Sequence, residues 1–151
     1  MNQQATSRPD DSAQEFRCTE VLHTSEVFAG EPGCIAQARE LADRFLTRLE
    51  AEWLAVLREH TRSDLMLAVS ELITNAERYS YGPYLLELEG TAESISVTVY
   101  DSSTALPVLY GPDPARLGGH GIEIVVALSD RVTAERVPVG KRIRAEFQLS
   151  I

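Results

Sequence analysis

The sequence predicts an α+β fold, a two-layer sandwich in which a mixed, mainly antiparallel sheet is covered on one face by about three helices. Three observations carry that expectation. Segments that alternate apolar and polar residues come in pairs joined by short turns, which is the pattern of hairpins. Segments with a helical apolar period are few and stand between those pairs. The resulting order is strand, helix, helix, two strands, helix, two strands, and the alternation in the strands suits a sheet with one buried and one wet face.

With 151 residues, the chain has room for one domain with a proper core and too little for two. Residues 1–16 read as a flexible polar tail and 17–151 as a single domain. Met1 to Gln14 contain no apolar h-region, so no secretory signal is expected. No apolar run approaches the ~20 residues that cross a bilayer, so no membrane partner and a cytoplasmic location are expected. The 14 Lys and Arg against 23 Asp and Glu give a net charge of -9, which repels phosphate backbones and argues against nucleic acid. A local pocket for one nucleotide is a separate matter. Cys18 and Cys34 are too few for a four-thiolate zinc site, and His23, His60 and His120 lack zinc-protease spacing.

Arg17 to Thr24 form the first strand candidate, with a second extended piece at Glu26-Val27-Phe28. Gly30-Glu31-Pro32-Gly33 is a turn. From Cys34 to about Leu49, Ile35, Ala38, Leu41, Ala42, Phe45 and Leu49 recur with a helical period. Glu50 to His60 reads equally as a short helix or a packed connection, with Leu46 and Trp53 as exposed apolar contributors to an interface. Ser63-Asp64 offers a cap for a central helix that runs to about Tyr79, where Ser80-Tyr81-Gly82-Pro83 stops it. Tyr84, Leu86 and Leu88, then Ile95, Val97 and Val99, alternate on either side of Gly90-Thr91-Ala92-Glu93 and predict a hairpin that ends in Asp101. Ser102 to Gly118 is a long connection of the kind that often forms a lid or binding loop. Gly118-Gly119-His120-Gly121 opens a helix with Ile122, Ile124, Val125, Val126 and Leu128. Arg131 to Val137 and Arg142 to Ile151 are the last strands.

The central helix carries the first chemical signal. Positions i and i+4 share a helix face, so Glu71 and Asn75 point one way, flanked by Ala68 and Arg78. Leu65, Val69, Leu72, Ile73 and Ala76 form a separate core stripe. Taken alone, Asn75 reads as facing water. Gly119-His120-Gly121 at a helix start can receive phosphate, because glycine lets an anion approach free helix N–H groups. It is neither a dinucleotide fingerprint nor a Walker A loop, and His120 reads as a tolerated side chain. Asp101 has two readings, an Asx-type turn onto Ser102-Ser103 or an acceptor for an exocyclic amine.

Together, Val69-Ser70-Glu71-Leu72-Ile73-Thr74-Asn75-Ala76, Val99-Tyr100-Asp101-Ser102-Ser103 and Gly118-Gly119-His120-Gly121-Ile122-Glu123-Ile124-Val125 resemble the Bergerat-fold (GHKL) ATPase superfamily. Within it, the chain looks like the actinobacterial-type single-domain anti-sigma-factor serine kinases. The resemblance spans about Phe28 to Phe147. It implies that Asn75 coordinates Mg²⁺ on ATP and that Glu71 is the general base toward a serine hydroxyl. Asp101 would accept from the adenine amine, and Arg78 would neutralise phosphate charge or make a surface salt bridge. Gly119, His120 and Gly121 would form the nucleotide-contacting segment, the two glycines hinging a lid. The implied partners are a STAS-type anti-anti-sigma protein, which is phosphorylated, and a sigma factor, which is sequestered; a homodimer is also implied. The chain differs from the family at Asp101-Ser102-Ser103, where Asp-x-Gly is usual, at Tyr79, where a His is frequent, and at Gly140-Lys141-Arg142, which lacks a Thr. A non-enzymatic regulator that keeps the fold and a protein interface is the alternative reading.

Overall fold

The computed structural model describes residues 21–107 and 121–149. A single strand β1, Leu22–Phe28, stands where two extended pieces were expected. Its ladder with the next strand runs unbroken from Leu22↔Gly90 to Phe28↔Tyr84, because Ser25 continues the pleat without a breaker. Helix α1, Cys34–Glu52, starts after Gly33 in the left-handed region at φ 92 and buries Cys34, Ala38, Ala42, Phe45, Leu46 and Leu49. It passes Leu49 because no Gly or Pro intervenes, and it closes with the Trp53 N–H on the Leu49 carbonyl at 3.0 Å. The following residues are a connection rather than a helix; Leu54 takes φ 54.

Helix α2, Thr61–Tyr79, begins earlier than a Ser63-Asp64 cap would place it. His60 takes the cap position at φ 71, and the Ser63 hydroxyl donates back to the His60 carbonyl at 2.9 Å. Leu65, Val69, Leu72, Ile73 and Ala76 are all buried, as their spacing predicts. Strands β2, Tyr84–Gly90, and β3, Ser94–Asp101, form the expected hairpin. Helix α3, Gly121–Leu128, precedes β4, Arg131–Val137, and β5, Gly140–Gln148. Strand β5 starts before Arg142 and presents Ile143, Ala145 and Phe147 to the core, with Leu149 beyond it; Ile151 lies outside the described residues.

The sheet order is β1-β2-β3-β5-β4, and every adjacent pair is antiparallel, so the sheet is not mixed. Helix α2 packs between α1 and α3 and reaches β3 and β5 beneath them. Full burial of each large aliphatic side chain in such a layer contributes ~1.5–3 kcal/mol. Leu46, expected on the surface, is fully buried. Its helix meets α2 on one side and β1 and β2 on another, which widens the covered arc. Trp53 is half-buried against the core. No helix among the described residues is long and apolar enough to cross a membrane.

Candidate functional site

The polar face of α2 meets the start of α3. Glu71, Thr74, Asn75, Arg78, Tyr79, Gly121 and Ile122 line a cavity of about 200 Å³ there. Glu71, Asn75 and Arg78 reach it together because they stack at helical i, i+4 and i+3 spacing. Ala68, assigned by spacing to the same face, is instead buried, since α3 and α1 flank α2 on both sides. Gly121 lets Glu71 come close: a Cβ built on it would stand 2.5 Å from Glu71 Oε2, so the carboxylate would have to move aside. The Arg78 guanidinium lies 5.5 Å from the centre of the Tyr79 ring. Larger cavities exist, about 650 Å³ over Arg39, Arg58, Arg62 and Met66 and about 380 Å³ at one end of the sheet. Neither contains any of the site residues predicted from the sequence, so size does not mark the predicted site.

Asn75 Oδ1 is buried and has no hydrogen-bond partner among the described residues. An amide oxygen left that way costs about 1–3 kcal/mol. A hard cation that takes oxygen ligands would satisfy it, which is the donor chemistry of Mg²⁺. At this end the residues fit magnesium and phosphate.

Asp101, the last residue of β3, is not in the cavity lining. Its Oδ1 accepts the Ser103 N–H at 2.8 Å, an Asx-type turn. Its Oδ2 lies 3.6 Å from Lys141 Nζ, and both side chains are 1% exposed. Lys141 stands directly opposite Asp101 in the β3–β5 ladder. It also donates to the Ala105 carbonyl at 3.2 Å and packs over the Tyr79 ring at 5.4 Å from its centre. Burial pushes the Asp101 carboxyl above its usual range, and the Ser103 N–H and Lys141 pull it back only in part. At this end the acceptor that the resemblance implies for adenine is already engaged.

Lys141 was not foreseen as the partner of Asp101, whereas the Asx-type turn onto Ser102-Ser103 was one of the two readings of Asp101 from the sequence. Ser102 Oγ bonds Ser80 Oγ at 2.8 Å and accepts the Tyr81 N–H at 3.2 Å, tying the end of α2 to the end of β3. A Cβ on Gly140, at φ 147, would collide with the Asp101 carbonyl and Ser102, so only glycine lets β5 start this close. The available signal was the alternation of β5, but its register against β3 was not fixed by any local turn. Gly119 and His120 lie outside the described residues. On the open face of the sheet, His23, Glu87 and Glu89 place potential ligand atoms within 4.8 Å of one another. His23 is bonded to Glu87 at 3.2 Å and Arg144 sits 3.8 Å from Glu89, an exposed ion-pair patch.

A helix-borne acid and amide face a glycine-started helix on a five-stranded antiparallel sheet, in a two-layer α+β domain consistent with the histidine kinase-like ATPase fold. The sequence model of the histidine kinase-like ATPase domain matches residues 31–147. That is most of the chain, which therefore belongs to the histidine kinase-like ATPase domain family. No curated protein matches the chain at a significant level. Domains of this family bind ATP, usually with Mg²⁺, and an ATP-binding regulatory role follows for the chain.

Proposed function

We propose that the chain is an ATP- and Mg²⁺-dependent protein-serine kinase of the anti-sigma-factor type, which phosphorylates an anti-anti-sigma partner and sequesters a sigma factor. The observation that supports it best is the buried, unpartnered Asn75 Oδ1 on the same helix face as Glu71. A helix used only for protein contact has no need of an acid and an orphaned amide lining one cavity. Bound there, ATP and magnesium would supply the transferable phosphoryl group and screen its charge. Asn75 offers the oxygen ligand, and Arg78 adds positive charge beside it. Glu71 takes the proton of the incoming serine hydroxyl as the serine oxygen bonds to phosphorus and the bond to the ADP oxygen breaks.

The test has two arms. Nucleotide titrated with and without Mg²⁺ should bind in a metal-dependent way, and Asn75→Ala should remove that dependence. Incubation with the cognate anti-anti-sigma protein should then transfer phosphate, and Glu71→Ala should slow transfer by about 10²–10⁴-fold while leaving binding intact. Absence of binding at millimolar nucleotide would return the chain to the reading of a non-enzymatic regulator. The engaged Asp101 carboxylate is the observation that favours that second reading.

A further inference from the structure

Helix α2 also borders the cavity of about 650 Å³, where Met66 and Ser70 face Arg39 of α1 and Leu57 and Arg58 of the connection between the helices. Ser70 lines this hollow and Glu71 lines the nucleotide cavity, so the two stand about 100° apart around one helix. Arg39 is the unanswered charge here. Arg44 and Arg48, on the same helix, each pair with a carboxylate four residues away, Glu40 and Glu52. The residue four along from Arg39 is Asp43, and Arg62 takes it, together with Glu50. Arg39 is left exposed and without an ion pair among the described residues, in a chain whose 23 Asp and Glu outnumber its 14 Lys and Arg. Arg58 adds positive charge to the hollow, and Leu57, Met66 and Leu67 give it an apolar lining. The connection that forms one wall is bent by two residues in the left-handed region, Leu54 at φ 54 and His60 at φ 71. That conformation is strained for a residue with a Cβ, and Leu54 gains no burial from it. Leu54 and Val56 are 80% and 72% exposed.

We infer that this hollow docks an acidic segment of a protein partner, which sets a carboxylate against Arg39 and an apolar side chain on Leu57, Met66 and Leu67. Both halves of that chemistry are needed. A simple anion would leave the apolar lining wet, and an apolar ligand would leave Arg39 without a counter-charge. A protein segment fits better than a small molecule, because Leu54 and Val56 carry apolar surface along the connection beyond the cavity. The two cavities share no lining residue, so the docking surface stands whether or not the other one takes a nucleotide.

The test is selection from a displayed library of random short peptides on the full wild-type chain, with counter-selection on Arg39→Glu. Peptides that survive should combine Asp or Glu with a large apolar residue. A synthetic copy of the best one, measured by calorimetry, should bind Arg39→Glu at least about tenfold more weakly. Replacing its acids with amides should weaken it as much, rising salt should weaken it too, and Leu67→Ser should cost about threefold or more. Arg39 and Leu67 are both exposed, so these variants should unfold close to the wild-type Tm. Arg39→Gln takes over the counter-selection if charge reversal beside Glu40 and Asp43 destabilises α1. The inference is overturned if no peptide separates wild type from variant, if the survivors lack acids, or if binding ignores Leu67→Ser. Sedimentation supplies the remaining arm: a wild-type dimer that Arg39→Glu dissociates gives the hollow to a second copy and overturns the inference as well.

Discussion

Asn75 and Asp101 carry buried oxygens in opposite states: Asn75 Oδ1 has no partner among the described residues, while Asp101 accepts the Ser103 N–H and is ion-paired with Lys141. The Asp101 carboxyl is raised by burial more than Ser103 and Lys141 lower it. An acid whose folded pKa exceeds its unfolded one binds its proton more readily when folded. Its contribution to stability is therefore complete below the unfolded value and is lost as pH rises through the folded one. Asp101→Asn, a neutral near-isostere, removes that dependence. The wild-type urea midpoint should fall as pH rises from the unfolded carboxyl value toward the higher folded one, and that fall should be absent in the variant, whose unpaired Lys141 adds a constant offset. A wild-type chain that gains on the variant with rising pH would show instead that Lys141 stabilises the ionised form outright. The Tyr84 hydroxyl is shifted upward too, by burial and by the Glu77 carboxylate that accepts its hydrogen at 2.7 Å.

Helix α2 combines a core stripe and a site face, and the two respond differently to mutation. Leu72→Ala removes a fully packed side chain beneath the site and should cost about 2–5 kcal/mol in denaturant unfolding. Gly121→Ala places a methyl against the flexible end of Glu71, so stability should change by less than about 1 kcal/mol. Phosphate transfer should nevertheless fall sharply, because Glu71 must swing aside; unimpaired transfer in Gly121→Ala would dissociate that carboxylate from the chemistry. At this scale the sequence was most readable. The core stripe of α2, the β2–β3 hairpin and the Asp at its end follow from period, turn residues and alternation. Leu46 and Ala68 were misplaced because helical period gives the direction of a face, while its width depends on how many neighbours cover it. Lys141 was missed for a related reason. Its partner is fixed by the strand order β3-β5-β4, a long-range outcome that no local pattern in Gly140-Lys141-Arg142 encodes.

For the whole molecule, nucleotide binding and folding are linked. A ligand that binds only the folded chain at ~100 times its Kd adds ~2.7 kcal/mol, a Tm rise of roughly 5–10 °C for a chain of this size. That rise should require Mg²⁺ in the wild type and lose the requirement in Asn75→Ala; an identical shift with and without the metal would separate Asn75 from any ion. The net charge of -9 does not decide whether a pocket takes an anion, because Arg78 lies in the cavity itself. A few well-placed donors in a cavity outweigh a distant, screened surface charge.

The opposition of Asp101 and Lys141 across the β3–β5 ladder has a bearing on assembly of the fold. Sliding β5 by one position would turn Ile143, Ala145 and Phe147 toward solvent, and the slip that sets Asp101 opposite Gly140 would also leave it without a cation across the ladder. A chain slipped that way is penalised twice, once by exposed apolar side chains and once by an orphaned charge. The pair thus adds its weight to that of the core in favouring the correctly threaded sheet.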